Sequence, residues 1–233
     1  MPTLSYIERR WQLETYFDRT AKDAWARLTS DAPVGRIRAT VRAGRDSMRE
    51  TLLDWLPKDL SDARLLDAGC GTGTLAIDAA RRGASVTAVD ISQSLVRIAK
   101  DRARAGQQPL AIDFRVGDML APTLGTFDHV VAMDSLIHYT TPDMVRALGM
   151  LLPRVRRSVV FTFAPRTPLL SMMHAVGRAF PRSDRAPSIE PVREAHLRTL
   201  LAADKSAKGW RLARSRRITS GFYISHALEL VRA

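Results

Sequence analysis

The sequence predicts an α/β fold built on a mostly parallel sheet, and three observations predict it. From Arg64 onward, short β-type runs alternate with helical stretches, the pattern of strands joined by crossover helices. A glycine-rich turn, Asp67-Ala-Gly-Cys-Gly-Thr-Gly73, falls between the first such run and the first such helix, where small residues let backbone approach a ligand closely. A chain of 233 residues, 45% of them hydrophobic, suffices for one such domain with a single core and a small appendage.

Each element has its own pattern. Trp11, Leu13, Tyr16, Phe17, Trp25 and Leu28 stud a charged N-terminal segment, which reads as an arm of one or two short amphipathic helices. From Arg36 to Leu56, Ile37, Val41, Met48, Leu52, Trp55 and Leu56 recur at helical steps, and Pro57 stops the helix. Residues 1–57 therefore form an arm and a first helix packed on the main domain, 58–233. That domain opens with a strand from Arg64 to Ala68 and a helix from Thr74 to Arg82, capped by Gly83. A second strand, Ser85 to Val89, ends at Asp90, and Ser92 opens a helix to about Ala105. Further strands span Ala111 to Val116, Phe127 to Met133 and Ser158 to Phe163, with a helix from Pro142 to Leu152 between the last two, and the expected alternation is αβαβαβαβαβ. Leu212 to Thr219 and Gly221 to Leu230 pair as a hairpin that closes a seven-stranded sheet antiparallel. Between Pro165 and Pro191 the chain is irregular and too long for an ordinary connection, which marks an insertion at about 166–190.

Composition narrows the class. The single cysteine, Cys70, permits no internal disulfide or cysteine zinc site and points to a reducing, cytoplasmic setting. The first 31 residues carry Glu8, Glu14 and Asp18 and lack a signal-peptide pattern. No run approaches the roughly 20 apolar residues of a membrane-spanning helix. A net charge of +12 favours nucleic acid, an anionic membrane face or an acidic small substrate, and charge alone does not choose among them.

The strand ends carry the chemistry. Gly69, Gly71 and Gly73 alternate behind Asp67, unlike the G-x-G-x-x-G turn that seats a diphosphate, which tilts away from NAD. Asp90, beside Ile91 and 17 residues past Gly73, stands where an acid accepts from two ribose hydroxyls. Asp118 is placed to accept from the exocyclic amine of adenine, with Met119 against the ring, or to cap a helix. The run from Phe127 to Asp134 then delivers Asp134, Ser135 and their neighbours to the carboxyl edge of the sheet.

Through LLDAGCGTG, AVDIS, VGDM and FDHVVAMD the chain resembles Rossmann-like class I S-adenosylmethionine (SAM)-dependent methyltransferases over about two-thirds of its length. That resemblance implies that Asp67 holds the methionine end, Asp90 the ribose and Asp118 the adenine of SAM. The fourth strand runs on into Ser135-Leu136-Ile137-His138-Tyr139, not into the Asn/Asp-Pro-Pro-Tyr/Phe motif of nucleic-acid amino methylases, and no RRM or zinc finger is present. Nucleic acid is therefore not the expected partner.

More narrowly, the chain resembles the magnesium-protoporphyrin IX O-methyltransferases of chlorophyll and bacteriochlorophyll synthesis. Tyr16-Phe17-Asp18-Arg19-Thr20 with Trp25, Val41-Arg42-Ala43-Gly44, Leu53-Asp54-Trp55-Leu56, Leu136-Ile137-His138-Tyr139, Phe163-Ala164-Pro165-Arg166-Thr167 and Phe222-Tyr223-Ile224-Ser225 carry this likeness. Where that family places a tyrosine shortly after the tryptophan, this chain has Leu28-Thr29-Ser30. The resemblance implies methyl transfer from SAM to a propionate of the porphyrin, with magnesium present only as part of that substrate. It also implies a partner in the porphyrin-binding subunit of magnesium chelatase, and the apolar substrate together with the basic arm suggests either a loose contact with an anionic membrane face or a soluble enzyme.

A flat macrocycle with two propionates needs an apolar slot and cations at its rim. Leu169, Leu170, Met172 and Met173 are candidates for the slot or for ordinary core, and Arg166 for the rim or for a solvated surface charge. Tyr16, Phe17 and Tyr139 complete the expected substrate contacts, the first two with Trp25 on an arm that is either a lid or a static packing helix. His138 is expected to orient or deprotonate the acceptor, or to make a structural hydrogen bond. Arg42 is expected to meet the donor's carboxylate or to stay at the surface. Rival readings are a methylase of another small acid or quinone-like acceptor, a non-catalytic porphyrin-binding partner, and a basic RNA methylase.

Overall fold

Helix α1, Leu4–Arg19, turns Tyr6 and Leu13 inward two turns apart. A short α2, Lys22–Leu28, comes next, and then α3, Arg36–Trp55, which buries Gly44, Met48 and Leu52 along one stripe. The computed structural model describes residues 1–19, 22–30, 32–106, 108–166 and 188–233.

The main domain alternates as its pattern predicts. Strand β1 is Arg64–Ala68, α4 Thr74–Arg81, β2 Ser85–Asp90, α5 Gln93–Arg104, β3 Ile112–Val116, β4 Phe127–Ala132, α6 Thr141–Leu151 and β5 Val155–Phe163. Ser92 caps α5 by accepting from the Leu95 amide, and Thr140 caps α6. The expected alternation fails once: between β3 and β4 there is only a 3-10 turn, Pro122–Leu124. The proline opens that turn and Gly125 closes it, leaving no room for a crossover helix.

The strand order is β3-β2-β1-β4-β5-β7-β6, where β6 is Trp210–Ser220 and β7 Tyr223–Arg232. Strands β1 to β5 run parallel, whereas β7 runs antiparallel to both β5 and β6. Seven strands with an antiparallel hairpin are thus present; β6 starts two residues before and ends one after its expected span, and β7 is shifted two residues later. An additional helix, α7, Glu194–Ala203, fills the stretch before the hairpin and buries Leu197 and Leu201. One core joins α1, α6 and α7 to one sheet face, and a second joins α3 and α4 to the other. Chain order reverses between β1 and β4, and the crevice outside their carboxyl ends is where ligands of open α/β sheets bind.

Candidate active site

At that crevice the glycine turn is bent by left-handed backbone, with φ of +87° at Gly69 and +53° at Gly71. A Cβ on Gly69 would lie 2.3 Å from Ser135 Cβ, so only glycine lets the β1 and β4 ends meet this closely. Gly73, φ +78°, begins α4 and would strike Ala99 of α5 if it carried a side chain.

A cavity of about 260 Å³ opens over this turn. Of the residues expected to bind the donor, Asp67, Gly69, Gly71, Asp90, Ile91, Met119, Asp134 and Arg42 line it, joined by Phe17, His138 and Tyr139. Asp67 is buried, and its Oδ2 has no hydrogen-bond partner among the described residues. Burial, with Asp90 nearby, pushes its carboxyl up to about pKa 7. Asp90 accepts from the Gly71 amide at 2.8 Å and the Ser92 amide at 2.9 Å, one bond per oxygen. A lone pair remains on each oxygen for a vicinal diol. A buried, unmatched carboxylate calls for a cation, and a nucleoside bearing a sulfonium and an ammonium answers both requirements. The residues present fit SAM.

Four expected contacts differ from the sequence reading. Asp118 does not line the cavity: its Oδ1 accepts from the Tyr6 hydroxyl at 2.9 Å and the Leu120 amide at 2.8 Å, while Arg10 pairs with Oδ2 at 3.2 Å. The arm therefore occupies the carboxylate expected to read adenine. Gly73 serves the turn and is not part of the wall. Tyr16 packs edge-on against Phe17, 5.3 Å between ring centroids, and Arg166 is exposed, its amide bonded to the Val192 carbonyl; neither lines the cavity. Met172 and Met173 lie outside the described residues, as do Leu169 and Leu170.

Two further residues line the wall but are engaged elsewhere. Arg42 donates to the carbonyls of Leu28 at 3.0 Å, Arg27 at 2.6 Å and Ala32 at 2.8 Å, closing the carbonyl end of α2 where a cation is favoured. Asp134 has a left-handed backbone, φ +53°. Its carboxylate takes Arg45 at 2.5 Å, Tyr223 at 3.1 Å to both oxygens, Thr162 at 3.1 Å and Ser225 at 3.2 Å. It thereby ties the β4 end to α3, β5 and β7. The guanidinium of Arg45 lies 4.5 Å from the Trp25 ring centroid, so the same cation bears on the arm. Arg45 also lines the cavity.

The arm covers the site at several points. Asp18 accepts from Ser92 Oγ at 2.6 Å and the Ser94 amide at 3.0 Å, and although burial opposes it, these hydrogen bonds hold its carboxyl below the usual range. Thr72 of the glycine turn donates to Thr29 at 2.9 Å, and Arg102 donates to the Ala26 carbonyl at 3.0 Å. His138 is buried in the turn Leu136–His138, with Nδ1 3.3 Å from the Ser188 carbonyl and Phe17 edge-on at 6.2 Å. A carbonyl only accepts, so Nδ1 carries the proton in that contact.

Tyr6 and Arg45 are the residues the sequence reading missed. Tyr6 precedes Leu13 by two helical turns and shares its face. Arg45 interrupts the apolar stripe Val41, Met48, Leu52, where a charge signals a buried partner.

Comparison with known proteins points to one family. A family model described as magnesium-protoporphyrin IX methyltransferase C-terminus matches residues 132–232, and a general methyltransferase domain model matches residues 65–157. The chain is 49% identical to magnesium-protoporphyrin O-methyltransferase of Rhodobacter capsulatus over 98% of its own length and 99% of that protein's. It is 32% identical to the protein of that name from Synechocystis, over 99% and 100% of the two lengths. The crystal structure of the Synechocystis magnesium protoporphyrin IX methyltransferase with bound S-adenosylhomocysteine (SAH) superposes with a TM-score of 0.83 at 30% identity, covering 96% of this chain and 99% of that one. A glycine turn flanked by Asp67 and Asp90, a cavity closed by an N-terminal arm and likeness over the full length converge: the chain belongs to the magnesium-protoporphyrin O-methyltransferase family of SAM-dependent methyltransferases.

Proposed function

We propose that this chain methylates a propionate carboxylate of magnesium-protoporphyrin IX, forming the monomethyl ester. The observation that supports it best is that Asp67, with its Oδ2 unmatched, and the buried ring of His138 line the same cavity beneath the arm. When bound, SAM supplies an electrophilic methyl group on a sulfonium. Asp67 and Asp90 hold the donor's cationic and ribose ends, and Arg45 its carboxylate. The propionate, with a pKa of about 4 to 5 like that of Glu, is already ionised at neutral pH, so no strong base is required. His138, as an imidazolium with Nε2 donating, orients that oxygen for in-line attack, and Phe17 and Tyr139 exclude water from the line of transfer. The arm, packed over the cavity, covers both ligands.

No described helix is long and apolar enough to cross a membrane. The net charge of +12 and an apolar substrate favour a loose contact with an anionic membrane face, and the proposal includes hand-over of the porphyrin from a subunit of magnesium chelatase. Turnover assayed with magnesium-loaded and with metal-free protoporphyrin tests the substrate. Preference for the magnesium form is expected; equal turnover of the two, or of a small quinone, would overturn it.

A further inference from the structure

Ser135 lies just past the end of β4 and occupies the boundary position of the turn Leu136–His138, where a serine hydroxyl ordinarily caps the turn. Here it makes no capping bond. Its Oγ is shut off from solvent and has no hydrogen-bond partner among the described residues. Ser135 nevertheless lines the cavity, as does Asp67, whose Oδ2 is likewise buried and unpaired. Gly69 lies against Ser135, and the absence of a side chain there lets the serine close on the glycine turn. Buried hydroxyls and carboxylates are rarely left unmatched. Two residues that line one cavity and each hold such an atom, one charged and one neutral, describe the seat of a ligand that carries positive charge and more than one hydrogen to donate.

A sulfonium has charge but no N–H, so it does not satisfy the serine. A ribose diol donates but brings no charge to Asp67, and Asp90 already has lone pairs for it. An ammonium has three N–H donors and a full charge. We propose that Ser135 is a donor-binding residue whose Oγ accepts a hydrogen bond from the α-ammonium of SAM, while Asp67 supplies the counter-charge. The inference rests on SAM as the donor. Ser135 thus distinguishes ligands that keep the amino group from those that lack it, and fixes the methionine end so that the methyl group points toward His138.

Titration of the wild-type chain and of Ser135→Ala with SAH, and with the analogue lacking only its amino group, tests this. Loss of a hydrogen bond to a charged group should weaken SAH by about tenfold in the variant, whereas the deaminated analogue should bind both proteins equally. The ligand-free melting temperature should not fall, because the variant removes a hydroxyl that has no partner. Equal weakening toward both ligands, or no weakening toward either, would overturn the proposal. Failure of the wild-type chain to bind SAH would instead contradict the identity of the donor.

Discussion

The hydroxyl of Tyr6 donates to Asp118 at 2.9 Å across 112 residues of sequence, with its ring stacked on Tyr139 at 4.5 Å between centroids and 16° between planes. Burial, together with Tyr139 and Asp118, raises the pKa of this hydroxyl far above the ordinary phenol value, so it remains a neutral donor throughout the working pH range. The arm is therefore anchored at the end of β3 and contributes to the core that it covers. Tyr6→Phe keeps the stacking and should loosen the arm by about 1 kcal/mol; Tyr6→Ala also removes a buried ring and should cost about 3 kcal/mol. Hydrogen exchange over residues 4–19 checks both, and protection equal to wild type in Tyr6→Ala would contradict the anchor.

Asp67 makes donor binding pH-dependent. Its folded pKa of about 7 lies above the ordinary 3.8 because burial and Asp90 disfavour its charge. Below pH 7 the ligand-free site holds a proton that a cationic donor must displace. Donor affinity should fall about tenfold per pH unit below 7 and level off above it. Stability runs the other way: the favourable contribution of the protonated acid is complete below pH 3.8 and is lost as pH rises to about 7. Asp67→Asn should consequently raise the ligand-free melting temperature at pH 8 while weakening SAH binding severely. Thermal shift and calorimetric titration together read the two effects.

Arg42 and Arg45 are expected to separate in their roles. Arg42→Ala should free the carbonyls of Arg27, Leu28 and Ala32 and expose α2 to protease with only a modest change in donor KM. Arg45→Ala removes the charge partner of Asp134 and should raise donor KM about tenfold or more. A reversed order of KM effects would return the carboxylate to Arg42.

Gly44 tests the packing beneath this network. An exposed helix glycine changed to alanine gains about 1 kcal/mol of stability. A Cβ at Gly44, however, would lie 2.5 Å from Tyr223 Cδ1, and Tyr223 holds Asp134. Gly44→Ala should therefore destabilise the chain by about 1 to 3 kcal/mol, measured as a lowered denaturant midpoint at unchanged slope.

His138→Ala should cut turnover while leaving SAH affinity nearly intact, since the donor's charged ends are held elsewhere. Single-turnover kinetics separate the two quantities, and full activity in the variant would remove His138 from the reaction.

Much of this architecture was legible because each parallel strand is short and apolar and carries its functional side chain at or just past its carboxyl end. Asp67, Asp90, Asp134 and His138 come to one edge for that reason. What was not legible depends on contacts across long separations. Nothing local distinguishes an acid that faces a ligand from Asp118, which faces Tyr6 and Arg10. Arg42 and Arg45 are three residues apart on α3, and only the position of α2 decides which guanidinium is used up by carbonyls. Helix α7 escaped notice because a single turn of apolar contact, Leu197 and Leu201, is a weak periodic signal. A register shift between Leu212 and Ser215 breaks the two-residue alternation of β6, so Leu212 packs with one core and Ile218 with the other.

The central claim is methyl transfer to the porphyrin carboxylate. Mass spectrometry of magnesium-protoporphyrin IX incubated with SAM and the purified chain tests it most directly. The account predicts a product heavier by a single CH2 unit, with SAH formed in equal amount and the added methyl group lost on ester hydrolysis. Binding of both ligands without any ester, or a methyl group that survives hydrolysis, would contradict it.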